Sequence, residues 1–65
     1  MTREEAIKEM QKGEKITHHY FSKDEWMTMK RNSIILEDGC SCWSHDFWAD
    51  RKGSSWEDGY SIFKP

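Results

Sequence analysis

The sequence predicts an α+β domain in which a small antiparallel sheet carries two short helices. Three observations predict it. A helical stripe near the start of the chain is bracketed by a cap signal and a glycine. Three turn signals, Arg31-Asn32, Asp38-Gly39 and Asp58-Gly59, separate runs too short to be helices. The aliphatic supply is thin, with one leucine, five isoleucines and no valine beside four Trp, two Tyr and three Phe. The resulting order α-β-β-β-β-α-β places helices on one side of an antiparallel sheet within a single domain over residues 1–65. A chain of 65 residues buries only about 60% of the surface its unfolded state exposes, so a homo-oligomer is expected.

Thr2-Arg3-Glu4-Glu5 has the spacing of a capping box, in which Thr2 accepts from the Glu5 amide while Glu5 reaches back. Ala6, Ile7 and Met10 follow at helical spacing, Glu4 and Lys8 form an i,i+4 pair, and Gly13 stands where a C-terminal glycine belongs. The first helix is therefore expected from about Arg3 to Lys12. Lys15 to His18 reads as a short strand. Glu25–Lys30 and Ser33–Glu37 read as a hairpin about Arg31-Asn32, with Asn32 suited to the positive φ of a tight turn. Asp38-Gly39 leads into Cys40-Ser41-Cys42-Trp43 as the next strand of a meander, and Ile16 adds another strand. Ser44 is expected to cap a second helix from His45 to Lys52, with Asp46 in its first turn and Gly53 stopping it. Phe47 or Trp48 then faces the sheet. Ser54-Ser55 reads as a loop and Tyr60–Lys64 as the last strand.

Composition excludes some functions. The net charge is -2, with ten Lys and Arg scattered among twelve Asp and Glu. A binder of duplex nucleic acid draws its affinity from clustered cations, and none are clustered here. A small ligand with two phosphates needs only two or three. The charged, amphipathic N-terminus predicts neither a leader nor a membrane span, and the expected setting is the cytoplasm with reduced thiols.

Three groups of residues could carry chemistry. Cys40, Cys42 and His45, with His18 or His19, are zinc-ligand types. Structural sites usually separate paired cysteines by two to four residues, however, and there is no second pair, so two packed thiols are the expectation. His18, His19 and His45 could supply an acid and a base for phosphodiester cleavage, but no nucleophile motif or phosphate loop accompanies them, and strand-end histidines are the simpler reading. The rings carry more weight. His18-His19-Tyr20-Phe21 are four rings in a row, and a strand alternates its faces, so some of them must meet solvent, a ligand or another chain. Trp26, Trp43, Trp48 and Trp56 suit core packing, base stacking or a protein interface.

Glu5-Ala6-Ile7, Lys12-Gly13-Glu14-Lys15-Ile16 and the aromatic pair soon after, with the ending Trp56-Glu57-Asp58-Gly59-Tyr60-Ser61-Ile62, resemble the small phage proteins of the Thoeris anti-defence sponge family. Anti-CBASS sponges are similar in size and fold. The resemblance implies a homo-oligomer, often a tetramer, in the cytoplasm of the host bacterial cell, holding a nucleotide second messenger at subunit interfaces without cleaving it and without a cofactor. By that resemblance Tyr20, Phe21 and Trp26 lie where the family lines its pocket. The full expected set adds Trp43, Trp48 and Arg51 to the site, gives His19 and Arg51 the phosphates, and gives Asn32 a base edge. Two alternatives stay open: an inhibitor that binds a host defence protein through the same rings, as an anti-CRISPR does, and a small phosphodiesterase. Duplex nucleic acid and membranes are not expected partners.

Because the thiols are assigned to packing, replacing Cys40 and Cys42 together by serine is expected to leave the circular dichroism spectrum and cooperative melting in place. Stoichiometric zinc in the purified protein, with unfolding on chelation, would overturn that assignment.

Overall fold

The first helix forms as the capping box dictates. A computed structural model describes residues 1–64, so the last residue of the expected 1–65 domain lies outside the described residues. Helix α1 runs Arg3–Gln11. The Thr2 hydroxyl accepts from the Glu5 amide, and the Thr2 amide donates to Glu5 Oε1 at 2.9 Å. That carboxylate is held below its usual pKa by the Thr2 amide and hydroxyl. Gly13 follows with φ +96°, ending the helix in a conformation that other residues resist. Ala6 and Met10 are fully buried on one stripe.

The strands are β1 Ile16–His18, β2 Met27–Lys30, β3 Ser33–Leu36, β4 Ser41–Trp43 and β5 Tyr60–Ile62, arranged in one sheet in the order β4-β3-β2-β1-β5. Every pairing is antiparallel. Ile16 pairs with both Met27 and Ile62, Met27 with Leu36, Met29 with Ile34, and Ile34 with Cys42. Directly opposed residues share a face, so Ile16, His18, Met27, Met29, Ile34, Leu36, Cys42, Tyr60 and Ile62 all point one way. Both helices lie on that side. The core is Ala6 and Met10 of α1, Phe47 of α2 (Ser44–Ala49), and Ile16, Met27, Ile34 and Tyr60 of the sheet.

Several details differ from the sequence-based expectation. In the β2–β3 turn the positive φ falls on Arg31, at 58°, and not on Asn32. A two-residue hairpin loop can place it at the first central position alone, as a type II′ turn does. Strand β4 begins at Ser41, because the Cys40 amide turns back to Asp38 Oδ1 at 2.9 Å and leaves Cys40 exposed. Ser44 is the first residue of α2 and Trp43 is its cap, with no side-chain capping bond. The Ser44 amide instead donates to the Asn32 carbonyl at 2.7 Å, so the ladder runs straight into the helix with no room for a capping loop. Helix α2 also ends at Ala49, short of Lys52. There the Arg51 amide reaches Trp48 and its guanidinium donates to the Phe47 carbonyl at 3.2 Å, closing the last turn early. Ser54-Ser55, expected as a loop, opens a 3-10 turn that runs Ser54–Trp56.

One polar group is built into the core. His18 is 2% exposed. Its Nδ1 accepts from the Tyr20 amide at 3.1 Å, so Nε2 carries the proton and donates to the Asp58 carbonyl at 2.8 Å. The ring is stacked between His19 and Trp56, each with its centroid 4.3 Å away, and Tyr60 meets it edge-on at 4.5 Å. Gly59 has to be glycine here: its φ is +95°, and a Cβ would sit 2.1 Å from His19 Nδ1. Burial holds the His18 imidazole below its usual pKa, and His19 adds to the effect, while the Asp58 carbonyl opposes it.

The folded state thus favours neutral His18, and the unfolded chain takes up a proton more readily. This contribution to stability is complete above the unfolded pKa of about 6.5 and is lost as pH falls below it. Melting temperature is expected to drop on acidification from neutrality to mildly acidic buffer, before the carboxylates titrate. His18→Gln, which retains a donor and an acceptor, should melt lower throughout but with a flatter profile over that interval. An unchanged slope in His18→Gln would place the effect elsewhere.

Candidate functional site

Alternation that buries one face of the sheet leaves the other bare. Thr17, Thr28, Lys30, Ser33, Ile35, Ser41, Trp43 and Ser61 point away from the helices. At one end of this face the β2–β3 turn and strand β4 enclose a shallow cleft of about 650 Å³. It is lined by Lys30, Arg31, Asn32, Ser33, Ile35, Ser41 and Trp43. Small-molecule sites occupy about 300–1,000 Å³, so the size suits one nucleotide-sized ligand.

The make-up of the cleft follows from register. Ser33 pairs with both Lys30 and Trp43, and Ile35 pairs with both Thr28 and Ser41, so these side chains form two rows across the bare face. Trp43 is 59% exposed, one of two large hydrophobic residues so placed among the described residues. It cannot turn inward, because its neighbour Cys42 takes the core-facing position opposite Ile34. Lys30, Arg31 and Asn32 are all exposed at the rim. The cleft therefore presents a flat ring, two cations and one side-chain amide, with no carboxylate in its lining. A second depression, of about 530 Å³ along α1, is lined by Met1, Glu5, Lys8, Glu9, Gln11 and Lys12, with both charges mixed and no ring.

The eight expected site residues do not come together. Asn32 and Trp43 share the cleft. His19, Tyr20 and Phe21 belong to a separate cluster around His18 and Trp56, in which Tyr20 meets Trp56 edge-on at 5.2 Å and Phe21 lies 6.3 Å from it. Phe21 is half-buried against the core, whereas Tyr20 is 58% exposed. Arg51 lies behind this cluster, 3.9 Å over the Phe47 ring and 5.5 Å from Trp56, with its Nε buried and unpaired among the described residues. Trp48 packs at 4.9 Å on Phe47 and beneath Arg3, among core side chains. Trp26 forms a third group, with Phe63 at 6.3 Å and Lys15 Nζ 4.4 Å above its ring.

The cleft also holds Lys30, Arg31, Ser33, Ile35 and Ser41, which are absent from the sequence-based set. For Lys30, Ser33, Ile35 and Ser41 the signal is period-2 alternation, since they alternate along their strands with Met27, Met29, Ile34, Leu36 and Cys42, which face the core, whereas Arg31 stands in the turn between β2 and β3.

No group of three or more His, Cys, Asp or Glu side chains converges as a metal site among the described residues. Cys40 is exposed and its thiol is pushed up by the adjacent Asp38 carboxylate, which disfavours the thiolate that zinc requires. Both ring nitrogens of His18 are taken by backbone groups, and His45 pairs with Asp46 at 3.1 Å on α2. No helix is long and apolar enough to cross a membrane among the described residues.

No protein-family model matches the chain, and no match was found to a curated protein or to a solved structure.

The different surroundings of the rings give a stability test. Trp43→Ala is expected to change unfolding free energy by no more than about 0.5 kcal/mol, as for an exposed residue. Phe47→Ala is expected to cost about 3–5 kcal/mol, as for a buried aromatic. Urea unfolding of both variants checks the contrast, and a large loss in Trp43→Ala would make that ring structural.

Proposed function

We propose that this protein binds a cyclic nucleotide signal and sequesters it without cleaving it. The observation that carries this reading is the exposed Trp43 ring set beside Lys30, Arg31 and Asn32 in one cleft. A planar base stacks on an indole for about 1–3 kcal/mol with little dependence on which base it is. Lys30 and Arg31 supply positive charge for one or two phosphates, with Arg31 able to take two phosphate oxygens at once. The Asn32 amide offers a donor and an acceptor to a base edge. In this reading the phosphate contacts pass from His19 and Arg51 to the two cations of the hairpin turn.

Sequestration without turnover suits the chemistry of the cleft. Cleavage of a phosphodiester needs a proton donor and a proton acceptor beside the scissile bond, and the cleft lining holds neither a histidine nor a carboxylate. The setting rests on the resemblance to phage sponges: a homo-oligomer, by that resemblance a tetramer, acting in the cytoplasm of a host bacterium to remove an immune second messenger. Tyr20, the other large exposed ring, lies outside the cleft lining and favours a second reading, in which it anchors the protein on a host defence protein.

Calorimetry against a panel of cyclic dinucleotides and cyclic ADP-ribose isomers tests this, with the ligand recovered afterwards by heating. Binding of at least one member and its intact release are expected. Trp43→Ala should lose about 1–3 kcal/mol of binding energy with little change in salt dependence. Lys30→Ala and Arg31→Ala should weaken binding and flatten the salt dependence. Altered ligand would mean an enzyme. A protein that binds no nucleotide, yet loses host-protein binding in Tyr20→Ala, would replace this reading with the second.

A further inference from the structure

The two edges of the sheet are treated differently. At the β5 edge, Tyr60 exchanges both backbone bonds with Met1: its amide donates to the Met1 carbonyl at 3.2 Å, and Met1 N donates to the Tyr60 carbonyl at 2.8 Å. At the β4 edge no strand lies beyond β4 among the described residues. The ladder to β3 is made by alternate residues: the Cys40 carbonyl accepts from Leu36, and the Ser44 amide donates to Asn32. Cys42 continues that series opposite Ile34, so the backbone groups of Ser41 and Trp43 point outward. The Trp43 carbonyl starts α2, which leaves the Ser41 N–H, the Ser41 carbonyl and the Trp43 N–H on the edge. Sheet edges are ordinarily guarded by lysine, proline, a bulge or short length, and Cys40-Ser41-Cys42-Trp43 has only the last, three residues of strand that still expose two donors and an acceptor.

We infer that β4 pairs antiparallel with β4 of a second copy, about a two-fold axis through Cys42. In that register Ser41 lies opposite Trp43 of the other copy. Each Trp43 N–H then donates to a Ser41 carbonyl across the seam, and two such bonds form by symmetry. A second copy is the occupant the edge itself specifies, because its donor and its acceptor stand two residues apart and are complementary to their own two-fold image.

Pairing also changes the cleft. Ser41 and Trp43 line it, so a seam at β4 joins the clefts of the two copies on one continuous face. The two Trp43 residues become diagonal neighbours about 7–8 Å apart, within reach of one another's ring. The joined site offers two rings and two sets of Lys30 and Arg31 in two-fold array, which fits a two-base cyclic dinucleotide. This last step rests on the nucleotide reading; the edge pairing does not.

The mass of the protein without nucleotide tests the pairing. Wild type is expected to sediment as at least a dimer. Ser41→Pro leaves both seam donors in place but sets its ring against the second copy where the Ser41 N–H pointed outward, at an edge position that tolerates proline, and should weaken association about tenfold or more with an unchanged circular dichroism spectrum. Should that variant fail to fold, a synthetic chain with an N-methylated Trp43 amide removes the donor of both seam bonds and leaves every side chain in place. Ser61→Lys, on the β5 strand, should keep the wild-type mass. A wild type that stays monomeric at millimolar concentration overturns the pairing, as does a blocked edge that keeps the wild-type mass. Titration then separates the two ideas. Cyclic di-adenosine monophosphate should bind once per two chains and weaken in the edge-blocked protein, while adenosine monophosphate binds both forms alike. Dimers that bind neither nucleotide would leave the edge pairing standing and remove the joined site.

Discussion

A sheet covered by helices on one side only has to sort its side chains by strict alternation, and the rest of this molecule follows from that constraint. Register carries the sorting from strand to strand, since Ile16, Met27 and Leu36 stand in one row and Met29, Ile34 and Cys42 in the next. A slip of one residue in β3 would send Ile34 into water and Ile35 into the core. The seven core residues include only two isoleucines and no leucine, so Met10, Met27, Phe47 and Tyr60 supply most of the volume. Methionine adapts to irregular gaps, which suits a core assembled from two short helices and strands of three or four residues.

The same alternation gives the tryptophans different work. Trp48 and Trp56 lie against the covered face and fill the margin of the core. Trp43 is adjacent to a core-facing cysteine and so must stand on the bare face. Around it the hairpin turn contributes Lys30, Arg31 and Asn32, which are there because a tight turn is polar and because β2 and β3 end together. A ring that cannot be buried and cations that cannot be far away make the cleft a consequence of topology.

His18 plays the corresponding role at the opposite corner. Its two nitrogens join the chain after β1, through the Tyr20 amide, to the loop before β5, through the Asp58 carbonyl. Each such bond is worth about 0.5–1.5 kcal/mol net, while leaving a buried polar group unpaired costs about 1–3 kcal/mol. Loss of either partner is therefore felt more than its presence suggests. Tyr60 adds a bond from its hydroxyl to the Trp56 carbonyl at 2.7 Å, and the ring cluster joins the Arg3–Glu57 contacts in pinning the loop before β5.

Apart from the 3-10 turn at Ser54–Trp56, the elements and their order were legible in local signals. The Thr2–Glu5 box, the glycines at 13 and 39 and the short runs between turns are local signals, and local backbone preferences act on residues only a few positions apart. The sequence by itself could not separate His19, Tyr20 and Phe21 from Trp43, or place Arg51 behind Trp56, because ring type is the same whether a ring packs or binds. Nor could it show that Ser44 belongs to the ladder, since its amide meets Asn32, twelve residues earlier in the chain. Those decisions belong to tertiary structure. Which face of a strand is covered, and which edge is left bare, is set by where the helices come to rest, and that depends on contacts between residues far apart in the chain.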